Sequence, residues 1–298
     1  MAEASALHDL VAAELAEPVD ARVSAMAAAI AARYPGAAWA VLFYGSCLRT
    51  SDLDGQMLDF YLIVSDYRAA YGKSWMAPAN RLIPPNVFPF HHEGLTAKYA
   101  VLSEADFRRE CSARAKTVSV WARFAQPSRL VWAADDAART QAAESIALAA
   151  PTLLAFTLPM LEEGEAADPL AIWRRGLALT YECELRAERK NRSSSIVDRD
   201  PDRYRRFAEA ALPGLGTSSV TPAAGERIWR RFRRRGKRMS VLRLAKASAT
   251  FAGGIDYLAW KINRHAGTDI RIASWQRRWP LLGAVTLLPR LLKRGAIR

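Results

Sequence analysis

Two short apolar segments, separated by twelve residues, dominate the first quarter of the chain. Residues 38–44 read AWAVLFY and residues 57–64 read MLDFYLIV. Both are rich in aromatic and β-branched residues, and both are too short for a typical buried helix. The loop between them is polar and begins with Gly45 and Ser46. We therefore predict two strands that flank a Gly-Ser turn.

The surrounding sequence predicts an α+β fold in which a sheet with flanking helices precedes a mostly helical part. Helical patterns cover residues 19–34 and continue through most of the chain beyond residue 137. A third strand is expected at residues 95–102, and Ser103 is a suitable N-cap for the helix after it. Prolines between residues 75 and 92 exclude a long helix there.

Three segments follow from this pattern. We assign residues 1–145 to a catalytic domain and residues 146–255 to a helical domain that contributes to the active site. Residues 256–298 form a basic amphipathic C-terminal segment that associates with a membrane.

The composition is that of a folded protein in a reducing compartment. The three cysteines are widely separated and show no paired spacing, which argues against a disulfide framework and against a zinc site. The N-terminus is acidic and alanine-rich, unlike a signal peptide. The longest uncharged stretch, residues 145–161, is short and contains two prolines, so we expect a buried helix or interdomain segment rather than a membrane span. A cytoplasmic protein is expected.

The positive charge is concentrated at the C-terminal end. The net charge is +13, and residues 226–298 hold 19 Lys and Arg against three acidic residues. The preceding residues carry slightly more acidic than basic side chains. Such asymmetry indicates that the C-terminal part meets a polyanion, either nucleic acid or an anionic membrane.

Asp59 lies thirteen positions beyond Ser46, within the second predicted strand. A Gly-Ser turn after one strand and an aspartate in the next resemble the polymerase β type of nucleotidyltransferase. In that class a glycine permits close approach of the backbone to a triphosphate, and strand carboxylates hold Mg²⁺ against it. The usual pattern has a second acid two residues later, where this chain has Tyr61. A tight turn followed by an ordinary strand aspartate is the simpler alternative.

A closer resemblance is to the mitochondrial-type phosphatidate cytidylyltransferases, a family of CDP-diacylglycerol synthases with bacterial relatives. It covers most of the chain through short matching motifs. These are Tyr44-Gly45-Ser46, Leu58-Asp59-Phe60, Asn80, Pro84-Pro85-Asn86-Val87, Lys98-Tyr99-Ala100-Val101, residues 123–127, Thr180-Tyr181, Glu184, Arg186, Asp256-Tyr257, Lys261, Arg264, His265 and Gly267. Cys47 and Leu48 depart from the small residues common in the family, and Glu184 replaces an aspartate.

The resemblance implies a nucleotidyltransferase-like mixed sheet and transfer of CMP from CTP to phosphatidic acid, with Mg²⁺ as cofactor. The implied catalytic residues are Asp59, Ser46 and Lys98. Asp59 is the expected metal ligand, with Glu184 as the second carboxylate. The implied nucleotide-binding residues are Tyr44, Gly45, Ser46, Arg186 and Lys190.

Three of these residues also have simpler interpretations. Lys98 on a strand is alternatively a solvent-facing residue. Arg186 and Lys190 lie four residues apart, which places them on one face of a helix, either toward a polyphosphate or simply toward solvent.

The basic C-terminal part combines cations with tryptophans and leucines, as an interfacial membrane anchor does. Residues 227–238 alternate arginines with Trp229 and Phe232. The expected membrane-association residues are Trp275, Arg277, Arg278, Trp279, Arg290, Lys293 and Arg294. The alternative is a basic helix that packs on the catalytic domain.

An anionic membrane surface is therefore the expected partner, and the enzyme is expected at the inner face of the cell membrane. An RNA-directed nucleotidyltransferase would use the same turn and aspartate, with its basic tail bound to nucleic acid. The missing second acid of the strand motif disfavours this activity, and with it a nucleic-acid partner. A catalytically inactive membrane scaffold is the other alternative, and it follows directly from Tyr61 if no other carboxylate completes the site.

Overall fold

The computed structural model describes residues 2–50, 52–162, 164, 168–184, 196–216, 220–250 and 272–274.

A five-stranded mixed sheet forms the centre of the fold, in the order β3-β4-β2-β1-β5. The strands are β1 (Ala38–Tyr44), β2 (Met57–Val64), β3 (Asn86–His92), β4 (Leu95–Ser103) and β5 (Ser128–Ala133). Strands β2 and β4 are parallel, whereas the other neighbouring pairs are antiparallel.

Helices precede the sheet, connect its strands and form the C-terminal half of the described chain. They are α1 (Ala2–Ala16), α2 (Ala21–Ala32), α3 (Ser46–Thr50), α4 (Tyr67–Tyr71), α5 (Met76–Leu82), α6 (Glu104–Cys111), α7 (Trp121–Phe124), α8 (Asp136–Ala147), α9 (Ala149–Thr157), α10 (Pro169–Cys183), α11 (Pro201–Ala211) and α12 (Pro222–Thr250). Short 3₁₀ turns cover Leu158–Met160 and Pro213–Leu215.

The two faces of the sheet pack against different helices because side chains alternate along each strand. One face, which includes Phe43 and Phe60, packs on Met26 and Ile30 of α2. The other face packs on α1 and the later helices in a larger core, to which Leu42, Tyr61 and Leu102 belong. The candidate site residues Tyr44, Asp59 and Lys98 lie on this second face, level with the last residue of β1.

The predicted α+β fold, with a sheet followed by a helical part, is confirmed. Two strands were not predicted. Strand β3 contains Pro89, which lacks a backbone N–H, but β3 is the edge strand and tolerates it. Strand β5 is short, and its position becomes evident only from its pairing with β1.

Both predicted domains contribute to the same core. Leu42 and Leu102, from the sheet, belong to one buried cluster with Trp173 of α10 and Trp229 of α12. The boundary near residue 145 stays a prediction, since the packing is continuous across it.

Residues 136–160 are the one segment, among the described residues, with the length and hydropathy of a membrane span. More than half of its most apolar 18-residue window is buried inside the protein, and Leu153 and Leu154 are fully buried. Helices α8 and α9, which make up most of this segment, therefore pack as part of the protein core.

Candidate active site

Tyr44, Asp59 and Lys98 lie side by side across three adjacent strands. Tyr44, the last residue of β1, pairs with Asp59 of β2, and Asp59 pairs with Lys98 of β4. Residues in register have their side chains on the same face of a sheet. Lys98 Nζ lies 3.0 Å from Asp59 Oδ1, and both side chains are partly exposed. Two of the three residues that the resemblance implies as catalytic, Asp59 and Lys98, are thus direct neighbours.

Gly45 turns the chain away from β1 directly beside the Asp59 carboxylate. Its φ of 99° lies in the region that favours glycine. A Cβ at this position would lie 3.1 Å from Asp59 Oδ2. The glycine is therefore required for both the turn and the close approach of the backbone to the carboxylate.

Ser46 is exposed at the first residue of α3, which starts immediately after this turn. Its carbonyl oxygen accepts a hydrogen bond of 3.1 Å from the Thr50 hydroxyl. Cys47, the next residue, points into the core, and burial raises the pKa of its thiol. The hydroxyl of Ser46, rather than the Cys47 thiol, is accessible to a ligand.

Tyr61 occupies the position where the nucleotidyltransferase pattern has its second acid. Its ring is 3% exposed and packs against Tyr44 and Phe124, with ring centroids 5.4 and 5.3 Å apart. A carboxylate at this buried position would lose its hydration and would depend on the nearby Arg123 and Arg243 charges for compensation. The surrounding packing accounts for the aromatic residue.

Glu184, at the C-terminal end of α10, is buried in a polar cluster with Arg123 and Ser119. Both nitrogens of the Arg123 fork donate to the carboxylate at 3.3 Å, and the Ser119 hydroxyl donates to Oε1. Arg123 also donates to the Ser119 carbonyl oxygen. This bidentate pairing fixes the orientation of the guanidinium.

Arg243 and Lys246 of α12 attach that helix to the loop before β3. Arg243 donates to the Pro84 carbonyl at 2.6 Å and to the Ser119 hydroxyl at 2.7 Å. Lys246 donates to the carbonyl oxygens of Ile83 and Pro85. Burial, together with the nearby Arg243 charge, lowers the pKa of Lys246 to about 7.

The strands and the helical half enclose a cavity of about 160 Å³. Its polar lining comes from Tyr44, Tyr61, Lys98, Ser119, Arg123 and Arg243. Pockets that enclose a whole small molecule typically measure about 300–1,000 Å³. The volume fits one phosphoryl-sized group, with the remainder of a ligand extending outside.

Three cationic side chains face this cavity, whereas two carboxylates lie beside them. Asp59 pairs with Lys98, and Glu184 pairs with Arg123. Within the described residues, Arg243 donates its hydrogen bonds to two neutral oxygens, the Pro84 carbonyl and the Ser119 hydroxyl. The cluster therefore retains positive charge and is suited to bind an anion.

Tyr44 contributes a neutral phenol to the same cavity. Burial, followed by the negative charge of Asp59, raises the pKa of its hydroxyl well above the ordinary value. Burial likewise raises the pKa of Tyr61. Neither group acts as a base near neutral pH.

The residues fit a bound Mg²⁺ only in part. Within the described ranges, no three His, Cys, Asp or Glu side chains converge. Mg²⁺ commonly binds one or two carboxylates together with substrate phosphates and water, so the partly exposed Asp59 is a suitable ligand. Glu184 is instead held by Arg123 and Ser119, and its role as second metal ligand stays a prediction.

Several predicted site residues lie outside the described residues. They are Arg186, Lys190, Trp275, Arg277, Arg278, Trp279, Arg290, Lys293 and Arg294.

Trp229 and Phe232 lie within the described chain, and the expectation that their rings meet a membrane is wrong. They are 0% and 7% exposed and pack against Trp121.

Sequence reasoning missed two side chains of the cavity, Ser119 and Arg243. Neither residue lies in a recognisable motif. Arg243 follows the arginine-rich residues 227–238, and nothing in the sequence distinguishes it from them. Arg123 begins a stretch that resembles the family, but its pairing with Glu184 was not predicted. Arg123 and Ser119 meet Glu184 through the packing of α7 on the end of α10, and Arg243 reaches Ser119 through the packing of α12.

Neither the comparison with protein-family models nor the search of curated proteins finds a match for this chain.

Proposed function

We propose that this chain is a phosphatidate cytidylyltransferase, which transfers CMP from CTP to phosphatidic acid and gives CDP-diacylglycerol and pyrophosphate. The observation that carries the proposal is the cationic cavity beside Asp59 and the Gly45 turn. Lys98, Arg123 and Arg243 line one phosphoryl-sized space at the edge of the sheet. The resemblance of the surrounding motifs supplies the choice of nucleotide and acceptor.

In this proposal, an oxygen of the phosphatidate phosphate attacks the α-phosphorus of CTP. A new phosphorus–oxygen bond forms, the bond to the β-phosphate oxygen breaks, and pyrophosphate leaves. The lipid phosphate is ionised near neutral pH and needs no strong general base. This agrees with a site whose tyrosines remain protonated.

The residues of the chain act by positioning and by charge. Lys98, Arg123 and Arg243 neutralise negative charge that gathers on phosphate oxygens during transfer. The Glu184 carboxylate holds the Arg123 fork in place, so little reorganisation is needed when a phosphate enters. Ser46 contacts the triphosphate from the exposed start of α3.

Mg²⁺, held by Asp59 together with phosphate oxygens, would supply further charge neutralisation. Asp59 already lies against Lys98, so a phosphate that binds Lys98 is within reach of this carboxylate.

A single assay separates the candidate activities. The purified chain is incubated with CTP labelled at the α-phosphate, Mg²⁺ and phosphatidate vesicles, and a parallel reaction contains tRNA. Label in the lipid supports the proposal. Label in RNA would assign an RNA-directed nucleotidyltransferase, and label in neither would favour the inactive scaffold.

Asp59→Asn is the matched active-site variant for this assay. We expect a loss of about 10²–10³-fold in kcat, as for other removals of a transition-state contact. Asp54→Asn is the control, because Asp54 is 83% exposed and pairs with Arg22 of α2. Near-full activity of Asp59→Asn would remove Asp59 from the site.

A further inference from the structure

Six arginines form one continuous stripe along α12. They are Arg227, Arg230, Arg231, Arg234, Arg235 and Arg238. Successive spacings of three and four residues place them on the same side of an α-helix. The stripe extends over about 16 Å, at 1.5 Å per residue. Five of the six side chains are exposed and the other, Arg235, is partly buried.

The stripe has no acidic partner within the part of the chain that the structure describes. Arg233, on another side of the helix, pairs with Glu182 and Glu226. The six stripe arginines form no such ion pairs among the described residues and surround an open depression of about 450 Å³. Like charges at these spacings repel each other. An external anionic surface would relieve that repulsion.

The side of α12 opposite the stripe explains why these cations point to solvent. Trp229 and Phe232 are buried in the core, and Gly236 packs against the Cys183 backbone. The helix therefore cannot rotate to bury its arginines. Its orientation is fixed by the core, and the stripe is presented outward.

Exposed aliphatic residues continue the stripe toward the C-terminal half of the helix. Leu242 follows Arg238 by four residues and is 45% exposed. Lys246, one turn later, holds the carbonyl oxygen of Ile83, and the neighbouring Leu82 is 77% exposed. Cations combined with exposed leucines are typical of surfaces that bind a lipid headgroup region.

The same residues are poorly suited to single-stranded nucleic acid. Proteins that bind single strands usually stack bases on aromatic rings between the cations. Here the rings that alternate with the arginines are inside the core. The stripe supplies phosphate contacts and aliphatic contacts without a stacking surface.

We propose that the arginine stripe of α12, continued by the exposed Leu242, is a docking surface for an anionic bilayer. The stripe lies on α12, which precedes the C-terminal segment 256–298 in the sequence. The docking does not require cytidylyl transfer, because the stripe is distinct from the cavity residues.

The test is co-sedimentation of the full chain with vesicles, without CTP and without phosphatidate. Vesicles of phosphatidylcholine alone are compared with vesicles that also contain phosphatidylglycerol. A failure of cytidylyl transfer would leave this measurement unaffected, and a failure of vesicle binding would not bear on the chemistry of the cavity.

Two variants carry the same change in net charge, from +13 to +9. The stripe variant is R230Q/R231Q/R234Q/R238Q. The control variant is R68Q/R114Q/R199Q/R206Q, at exposed positions on other elements. A third variant, R230K/R231K/R234K/R238K, keeps the charge and the helix. Circular dichroism checks that all three are folded.

We expect the wild-type chain to bind the anionic vesicles and not the neutral ones. The stripe variant should bind at least about tenfold more weakly, since each basic residue near an anionic surface contributes roughly fivefold. The control and the lysine variant should stay close to wild type. An equal loss in the stripe and control variants would overturn the proposal, as would undiminished binding of the stripe variant. A wild-type chain that binds neither kind of vesicle but binds RNA in a parallel reaction would also overturn it.

Discussion

The ion pair of Lys98 with Asp59 places a strand lysine where it suits the proposed phosphate contact. A lysine on a strand commonly points to solvent, but Lys98 lies in register with Asp59 and reaches its carboxylate at 3.0 Å. The pair lies at the edge of the cationic cavity, where Lys98 is part of the lining. A phosphate that enters would meet the ammonium group and displace water from it.

Lys98→Gln should therefore lower kcat/KM for CTP by about 10²-fold. The substitution removes the ammonium group that stabilises the negative charge developing on the phosphate oxygens. Steady-state transfer of label to phosphatidate vesicles measures the effect. Lys73→Gln is the control, since Lys73 is exposed and outside the cavity lining. Equal activities of the two variants would contradict a contact between Lys98 and substrate.

Lys246 provides a pH-dependent measure of burial. Its pKa is lowered from 10.5 to about 7 in the folded chain. Between these two pH values, Lys246 is protonated in the unfolded chain and deprotonated in the folded chain. The free energy of unfolding therefore rises with pH over this range. The destabilisation is full below about pH 7 and is relieved as pH increases toward 10.5.

Lys246→Met removes this titration. Relative to that variant, the wild-type chain should gain stability between pH 7.0 and 10.5. Urea unfolding at several pH values measures the difference. A difference that stays constant over this range would show that Lys246 is not desolvated in the folded chain.

At the scale of elements, α12 decides the composition of the cavity. One side of this helix contributes Trp229 and Phe232 to the core, and its later turns bring Arg243 to Ser119. The contact that sets its distance from α10 is at Gly236. A Cβ there would overlap the Cys183 carbonyl oxygen, one residue before Glu184.

Gly236→Ala should therefore force α12 away from α10 and destabilise the chain by about 1–3 kcal/mol, as overpacking does. Gly214→Ala is the matched control, because a Cβ at Gly214 meets no atom within 4 Å. Thermal and urea unfolding measure both variants. If Gly236→Ala unfolds like wild type, α12 and α10 are not held at the distance described.

At the scale of the whole molecule, a buried ion pair joins the N-terminal helix to the helical half. Glu14 of α1 accepts two hydrogen bonds from Arg203 of α11, which lies 189 residues later. Arg203 also donates to the Ala125 carbonyl at 3.2 Å and stacks over Phe207. The pair connects α1, α7 and α11 on the same side of the sheet.

Glu14→Gln leaves the buried Arg203 charge without its carboxylate and should destabilise the chain by about 3–5 kcal/mol. Chemical unfolding provides the measurement. Glu17→Gln is the control, since Glu17 is 55% exposed in its pair with Arg129. A loss no larger than that of the control would show that Arg203 finds another partner.

The sequence by itself determined the local features of the site. Apolar runs of seven and eight residues specify β1 and β2, because only strands bury such short segments in this pattern. Gly45 marks the turn, since its φ of 99° disfavours other residues. Asp59 is the one acid inside β2, and its place in the strand follows directly.

Only the tertiary structure decided which cations meet at that site. Ser119 is separated by 65 residues from Glu184 and by 124 from Arg243. The tertiary structure also decided that Trp229 faces the core and the arginine stripe faces solvent on the same helix. Local propensity does not encode such long-range contacts, because they depend on how the helical half packs on the sheet.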